Sequence, residues 1–297
     1  MPALPTKLDV LHSPDIVERL KRAPSEHKGD AGKAILIGGA PGMAGALLLA
    51  GKACLYLGAG WTIIDMLDPA SAHADSEQAE LMIRLAKEDA VKALNQSQPD
   101  VIAIGPGLGH SALAIEWLIA SLNYPRAPLI IDADALNLIA DSGDLLNALQ
   151  KRNQQFPGQS ILTPHPGEAA RLLKSTTAQI QADRSQSLQN LVALTQSIIV
   201  LKGQHTLIAG PLHSAVQCEA GNPGMGTGGM GDVLTGSITA IAAQGVRHHL
   251  DLWDAGCIAV QLHAMAADSL VQKGVGPIGL TPSETILEMR RLLNKLL

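Results

Sequence analysis

Short apolar runs alternate with longer stretches in which apolar residues return every three or four positions, and this alternation continues to the end of the chain. Residues 34–38, 61–66, 101–105, 129–132, 160–163, 198–202 and 206–209 are near-continuously apolar, as strands are when both faces of their sheet are covered. Helical patterns lie between and after them, over 42–57, 89–95, 112–122, 135–140, 167–173, 184–196, 229–244, 252–272 and 282–296. Strands separated by helices predict right-handed crossovers and an α/β fold, a mainly parallel sheet with helices on both faces. Residues 207–218, broken by Gly210-Pro211, read instead as an antiparallel hairpin. The polar stretch 151–159, with its Gly and Pro, reads as a surface loop. No repeat, low-complexity tract or linker divides the chain, so one domain over 1–297 is expected.

Composition changes this picture little. A 46% hydrophobic content over 297 residues is ample for a buried core. The net charge of −5 gives no general attraction for nucleic acid, so no nucleic-acid partner is expected and an anionic ligand must be held by local donors. Cys54, Cys218 and Cys257 are too dispersed for a C-x-x-C pair and point to reduced thiols in a reducing compartment. Residues 1–22 lack the apolar segment of a secretion signal, and no apolar run is long enough to span a membrane. The expected location is cytoplasmic, with no membrane partner.

The chemistry concentrates in Asn222-Pro-Gly-Met-Gly-Thr-Gly-Gly-Met-Gly-Asp-Val-Leu-Thr-Gly236. Gly224, Gly226, Gly228, Gly229 and Gly231 leave a backbone almost free of Cβ atoms, and an apolar helical run follows at once. A glycine loop that opens a helix aims unpaired N–H groups and the positive end of the macrodipole at one point, which suits phosphate. Gly228, Gly229 and Met230 are thus the expected anion loop. Asp232 is out of place there, since a carboxylate repels phosphate unless it takes a proton from a hydroxyl about to attack it. The plainer alternative is a glycine-rich turn in which Asp232 caps the helix.

In a parallel sheet, ligands sit beyond the carboxyl ends of the strands. Those ends carry Gly38-Gly-Ala-Pro-Gly42, Gly105-Pro-Gly-Leu-Gly109, Asp132-Ala-Asp-Ala-Leu-Asn137, Thr163-Pro-His-Pro-Gly-Glu168 and Lys202-Gly-Gln-His-Thr206. Each alone could be turn chemistry, with Asp132 or Asp134 capping the next helix, but the fold would gather all five around one cleft. Gly226-x-Gly228-x-x-Gly231 formally matches a dinucleotide fingerprint, yet it follows a hairpin and opens no βαβ unit. A P-loop Gly-x-x-x-x-Gly-Lys-Ser/Thr is absent, and the histidines lack metal-ligand spacing.

Together with His27-Lys-Gly-Asp-Ala-Gly32, these segments resemble, in order and over residues 27–293, the ADP-dependent (S)-NAD(P)H-hydrate dehydratases. The resemblance implies a ribokinase-like three-layer αβα sandwich. It also implies a reaction in which NADH or NADPH hydrated on the nicotinamide ring (NADHX, NADPHX) is restored by ADP, giving AMP and phosphate, through phosphorylation of the ring hydroxyl and elimination. Asp232 would be the base. Ala46, Gly109 and His165, with Asp232, match family contacts to the hydrated nucleotide. Lys202, Gly203, Gln204, His205, Thr206 and Gly231 match the ADP contacts, with the His205 side chain expected to point outward. Glu168 and Asn137 could place a magnesium ion through water, as related kinases do, though Glu168 also fits the third position of a capped helix. The resemblance further implies a homotetramer and, since many members carry an N-terminal epimerase domain for which residues 1–26 leave no room, an NAD(P)H-hydrate epimerase on a separate chain. Two other readings share the loop: an ATP-dependent kinase of a small hydroxymethyl vitamin precursor, and a nucleotide-sensing module without turnover.

Overall fold

The computed structural model describes residues 8–75, 77–87 and 89–297. A two-residue strand, β1 (Asp9–Val10), and a short helix, α1 (Pro14–Val17), precede β2 (Lys33–Gly38), α2 (Ala44–Tyr56), β3 (Trp61–Met66), β4 (Met82–Leu85), α3 (Ala90–Ser97) and β5 (Val101–Ile104). Next come α4 (Ala112–Asn123), β6 (Leu129–Ile131), α5 (Ala133–Asp141), α6 (Gly143–Gln155) and β7 (Ser160–Leu162). They are followed by α7 (Pro166–Leu172), α8 (Thr177–Ala182), α9 (Arg184–Thr195) and β8 (Ile198–Leu201). The hairpin β9 (Leu207–Gly210) and β10 (His213–Gln217) leads to three long helices, α10 (Met230–His248), α11 (Leu252–Gln272) and α12 (Pro282–Leu296).

The strands form one sheet in the order β1-β10-β9-β8-β7-β6-β5-β2-β3-β4. Pairing is parallel from β4 across to β8, and β9 is antiparallel to both β8 and β10, as the Gly-Pro break implied. The period of two along each strand sorts the core into two layers. Ala34 and Leu36 of β2 pack with α2, α10, α11 and α12, whereas Ile35 and Ile37 pack with α4, α5, α7 and α9 on the opposite face. The result is the expected three-layer αβα sandwich. At about 25 cal/mol per Å² of apolar surface removed from water, burying both faces of these strands stabilises the sandwich.

Two expectations need correction. Residues 151–159 are not simply a loop, because α6 runs through Gln155 before the turn begins. Its buried stripe is Leu145, Leu149, Arg152 and Asn153, half of it polar and therefore invisible to an apolar pattern. Arg152 is buried because its guanidinium donates to the carbonyls of Leu122, Tyr124 and Ala127, and Asn153 because its amide donates to the Thr195 carbonyl at 2.7 Å. The helix expected over 135–140 begins earlier, at Ala133, directly behind Asp132.

The order in which successive strands join the sheet reverses between β2 and β5, from β2-β3-β4 on one side to β5-β6-β7-β8 on the other, which makes their carboxyl ends the switch point where such folds place ligands. Backbone bonds tie these ends together. Gly39 N–H donates to the Pro106 carbonyl at 3.0 Å, and a Cβ on Gly38 would lie 2.1 Å from that same oxygen.

Candidate active site

The ladder continues past the formal ends of the strands. Gly105 N–H donates to Ile37 O at 3.2 Å, Asp132 N–H to Ile104 O at 3.1 Å, Thr163 N–H to Ile131 O at 3.1 Å, and Lys202 N–H to Pro164 O at 2.9 Å. The residues that follow β5, β6, β7 and β8, Gly105, Asp132, Thr163 and Lys202, are therefore held in sheet register.

Asp132 is the hub of this row. It occupies the N-cap position of α5 without capping it, and its carboxylate instead accepts from Lys202 Nζ at 2.8 Å, Thr163 Oγ1 at 2.7 Å and Thr235 Oγ1 of α10 at 2.7 Å. Burial works against its ionisation, but the Lys202 ammonium and the three donors outweigh that and hold its pKa below the usual carboxylate value. The same partnership acts on Lys202. Burial works against the ammonium, yet Asp132 and Glu168 keep its pKa raised, so the pair stays ionised.

Thr163-Pro-His-Pro-Gly-Glu168 now has a physical reading. Thr163 reaches Asp132, and Pro164 presents its carbonyl to Lys202 N–H. His165 is the N-cap of α7, with Pro166 at the first helical position. His165 Nδ1 accepts from Gly167 N–H at 2.9 Å, while the Glu168 carboxylate accepts from His165 N–H at 2.7 Å, a reciprocal capping box. A Cβ on Gly167 would lie 2.7 Å from His165 Cε1, so any larger residue there would move the imidazole from its capping position. With Nδ1 accepting, the ring carries its proton on Nε2, 3.4 Å from Glu168 Oε1. Burial and then the Lys202 charge lower the His165 pKa, so the ring is neutral.

Asp232 lies in the first turn of α10. Burial first, and then the charge of Asp132, push its pKa up to about 7 despite the opposing ammonium of Lys202. Glu168 is likewise raised to about 7, chiefly by burial. Two carboxyls beside an ionised Asp–Lys pair thus titrate near neutrality, which is the behaviour of proton-transfer groups. The start of α10 is fixed by Gly229, whose φ of +94° ends the loop. A Cβ on it would meet Leu49 of α2 at 2.6 Å and Pro282 of α12 at 3.0 Å.

A cleft of about 510 Å³ opens at this helix start. Lys202, Gly203, Gln204, His205, Thr206 and Gly231, all six residues expected to hold a nucleotide, line it together with Met230 of the anion loop. Gly228 is exposed beside it with open space around its Cα. Arg184 of α9 shapes the 202–206 turn by donating to the carbonyls of Leu201 at 3.0 Å and Lys202 at 3.3 Å. His205 is exposed, as anticipated, yet still borders the cleft. The far rim is held by Asp268 of α11, which accepts from Gly221 N–H at 2.8 Å and Asn222 Nδ2 at 2.9 Å.

Ala46, Gly109, His165 and Asp232, expected to touch the hydrated nucleotide, do not line that cleft. Ala46 sits half-buried in the first turn of α2, and Gly109 N–H donates to Asp134 Oδ2 at 2.9 Å. Asn137 Oδ1 accepts from Arg171 at 3.4 Å, and Glu168 serves as the cap described above. Among the described residues no three His, Cys, Asp or Glu side chains form a metal cage. Sequence reasoning missed the hub role of Asp132, the partner Thr235, Asp268, and His263 of α11 in the cleft wall. Asp132 and Thr235 lie inside segments that stand out in the sequence, but nothing local names their partners, and Asp268 and His263 carry no signal beyond residue type.

Among the described residues no helix is long and apolar enough to cross a membrane. A family model described as NAD(P)H-hydrate dehydratase matches residues 34–288. The ADP-dependent (S)-NAD(P)H-hydrate dehydratase of Neisseria meningitidis is 36% identical over 280 residues, covering 93% of this chain and 89% of that protein. The ADP/ATP-dependent NAD(P)H-hydrate dehydratase of Bacillus subtilis, co-crystallised with ATP and Mg²⁺, superposes with a TM-score of 0.79 at 28% identity, over 99% of this chain and 100% of the other. A ribokinase-like superfamily protein from Enterococcus faecalis superposes with a TM-score of 0.78 at 29% identity, over 100% and 99%. The chain spans about half the length of the bifunctional NAD(P)H-hydrate repair enzymes it also matches, 51% of the one from Leishmania major and 53% of the one from Coxiella burnetii.

Proposed function

The chain belongs to the NAD(P)H-hydrate dehydratase family, and we propose on that footing that it restores the S epimer of hydrated NADH and NADPH, using ADP and releasing AMP and phosphate. The observation that carries this reading is the convergence of all six expected nucleotide residues on one cleft at the start of α10, with Asp232 on that same first turn and titrating near 7.

The chemistry follows from these groups. ADP lies in the cleft with its terminal phosphoryl group at the N–H groups of residues 228–231, where the helix dipole and the Lys202 ammonium offset its charge. Asp232 removes the proton of the ring hydroxyl as that oxygen attacks the terminal phosphorus, and the bond to the bridging oxygen breaks to leave AMP. A pKa near 7 suits the task, because at neutral pH the carboxylate is present in quantity and still basic enough to accept a proton. Phosphate then leaves the ring, carrying the former hydroxyl oxygen, and the ring nitrogen supplies the electron pair. Loss of a ring proton completes NADH or NADPH. Ala46, Gly109 and His165 hold the hydrated ring, the small residues leaving it room.

Magnesium fits these residues only loosely. Glu168 and Asn137 offer oxygen atoms, which this ion prefers, but both already accept hydrogen bonds and no protein cage surrounds them among the described residues. The ion would arrive with the nucleotide, keep most of its waters, and supply charge neutralisation on the phosphates.

A recovery assay tests the proposal: purified protein, magnesium and hydrated NADH with either ADP or ATP, following the return of reduced-nicotinamide absorbance. Recovery with ADP is the expected result. No recovery with either nucleotide, from protein that still binds ADP, would overturn the dehydratase and point to the small-molecule kinase.

A further inference from the structure

The turn at 202–206 has its carbonyls and its N–H groups sorted to opposite sides. All five of its residues line the cleft, whereas Arg184, the first residue of α9, does not. The Arg184 guanidinium donates to the carbonyls of Leu201 at 3.0 Å, Lys202 at 3.3 Å and His205 at 3.4 Å, so these three oxygens are turned toward a group outside the cleft. In a trans peptide the C=O and the N–H that follows it point in opposite directions, which aims the N–H groups of Gly203 and Thr206 away from Arg184. The remaining peptide of the three obeys the same rule, since Lys202 N–H, opposite the Leu201 carbonyl, donates to the Pro164 carbonyl at 2.9 Å. From Gly203 to Thr206 no N–H donates to another backbone group among the described residues, and residues 203–205 are exposed, within reach of a ligand. Gly203 at φ +138° and His205 at φ +53° supply the positive φ values with which a turn gathers N–H groups on one side.

Nothing local asks for an arginine at 184. The helix dipole disfavours a cation in the first turn, and burial lowers its pKa. Arg19, Arg84 and Arg291 have carboxylate partners, while Arg184 has none among the described residues. We propose that Arg184 is a positioning residue for nucleotide binding: it holds three carbonyls of the turn outside the cleft, so that a nucleoside diphosphate, rich in acceptor atoms, meets N–H donors rather than carbonyl oxygens. It touches no ligand and acts through the backbone. The inference deepens the functional reading above and rests on the cleft being the nucleotide site.

The test uses the full chain as wild type, Arg184→Met and Arg184→Lys. Methionine keeps much of the stem without a donor, and lysine keeps the charge on one ammonium that cannot span three carbonyls. ADP affinity is read by calorimetry, kcat and both KM values by the recovery assay, and Tm on nucleotide-free protein. For Arg184→Met the expected result is about tenfold weaker ADP binding and a matching rise in KM for ADP, with KM for hydrated NADH and kcat at saturating ADP within about twofold. Arg184→Lys should bind ADP less tightly than wild type and more tightly than Arg184→Met, and it decides alone if the methionine variant does not fold. Full ADP affinity in Arg184→Lys would show that charge alone is felt and would overturn the positioning role. Unchanged ADP affinity in Arg184→Met would overturn it while leaving the nucleotide site standing. Equal rises in KM for ADP and for hydrated NADH, with a fall in Tm, would overturn it too, as that is how a site loosened as a whole behaves. The affinity measurements decide the inference even if no hydrated NADH is recovered, so the two readings can fail separately. A wild type that binds no ADP would overturn both.

Discussion

Asp132 and Lys202 are 70 positions apart in the sequence and 2.8 Å apart in the fold, one just past β6 and the other just past β8. Their pairing converts two buried charges into one neutral unit directly beneath the start of α10. Removing either partner leaves the other uncompensated, so Lys202→Met or Asp132→Asn should each cost about 3 to 5 kcal/mol of unfolding free energy. The double variant should cost clearly less than the sum of the two. Urea unfolding of the three variants checks this, and additive losses would mean that the pair is not coupled.

Asp232→Asn should lower kcat by about 10²- to 10⁴-fold, the range for a lost general base, while ADP affinity stays within about twofold. With the Asp232 pKa raised to about 7, the base is protonated and idle below that pH. Turnover should therefore climb with pH up to about 7 and level off above it. A kcat independent of pH between 5.5 and 8 (roughly the span over which such a group titrates) would remove Asp232 from the proton transfer.

If the ring hydroxyl is the nucleophile, its oxygen leaves with the phosphate. Hydrated NADH labelled with heavy oxygen at that hydroxyl should yield labelled inorganic phosphate and unlabelled AMP, read by mass spectrometry. Label appearing in water would instead indicate direct dehydration, with ADP in some other role.

Gly231 faces both the cleft and the Lys202 ammonium, and a Cβ at this position would lie 3.2 Å from Lys202 Nζ. Gly231→Ala should push the ammonium aside and weaken ADP binding about tenfold, or ~1.4 kcal/mol. Strain on the Lys202–Asp132 pair should offset the gain in helix propensity, so Tm should fall slightly. Calorimetry with ADP against this variant is the check.

Glu288 of α12 joins that helix to the end of α11. Its carboxylate accepts from Arg291 at 2.6 Å, Lys273 at 2.7 Å and Ser269 at 2.5 Å. The Arg291 bond first, then the other donors against the opposing effect of burial, hold its pKa down to about 2 from an ordinary 4.5. Stability from this carboxylate is complete above pH 4.5 and fades as the pH falls toward 2. Glu288→Gln should melt below wild type at pH 7, and the two melting curves should converge across that acid window.

The sandwich was legible because its inner strands are apolar on both faces, so β2, β3 and β5 to β9 announce themselves. What escaped lacks that signature. β4 is an edge strand that ends on Arg84 and Leu85, and Arg84 pairs with Asp65. The short helix α8 buries only Ile180, and its one local sign is the Thr176–Gln179 capping box. In the site, of the five strand-end segments expected around one cleft only 202–206 lines it, and the other four end outside it. Asp132 looked like a helix cap, because its three partners lie 31, 70 and 103 positions away and proximity at that range is not written locally. His263 escaped for the opposite reason, since one imidazole in an apolar helix looks like core.

The register that runs unbroken past the ends of β5, β6, β7 and β8 sets the tempo of the site. Backbone held in a parallel ladder exchanges its amide hydrogens only when the sheet itself opens, so Asp132, Thr163 and Lys202 should exchange equally slowly with and without nucleotide. The glycines at 226 and 228 have no such anchor in the sheet, and an anion that takes up their N–H groups should slow them sharply. Arrival of a ligand would be recorded almost wholly in the loop, while the charged row beneath keeps still.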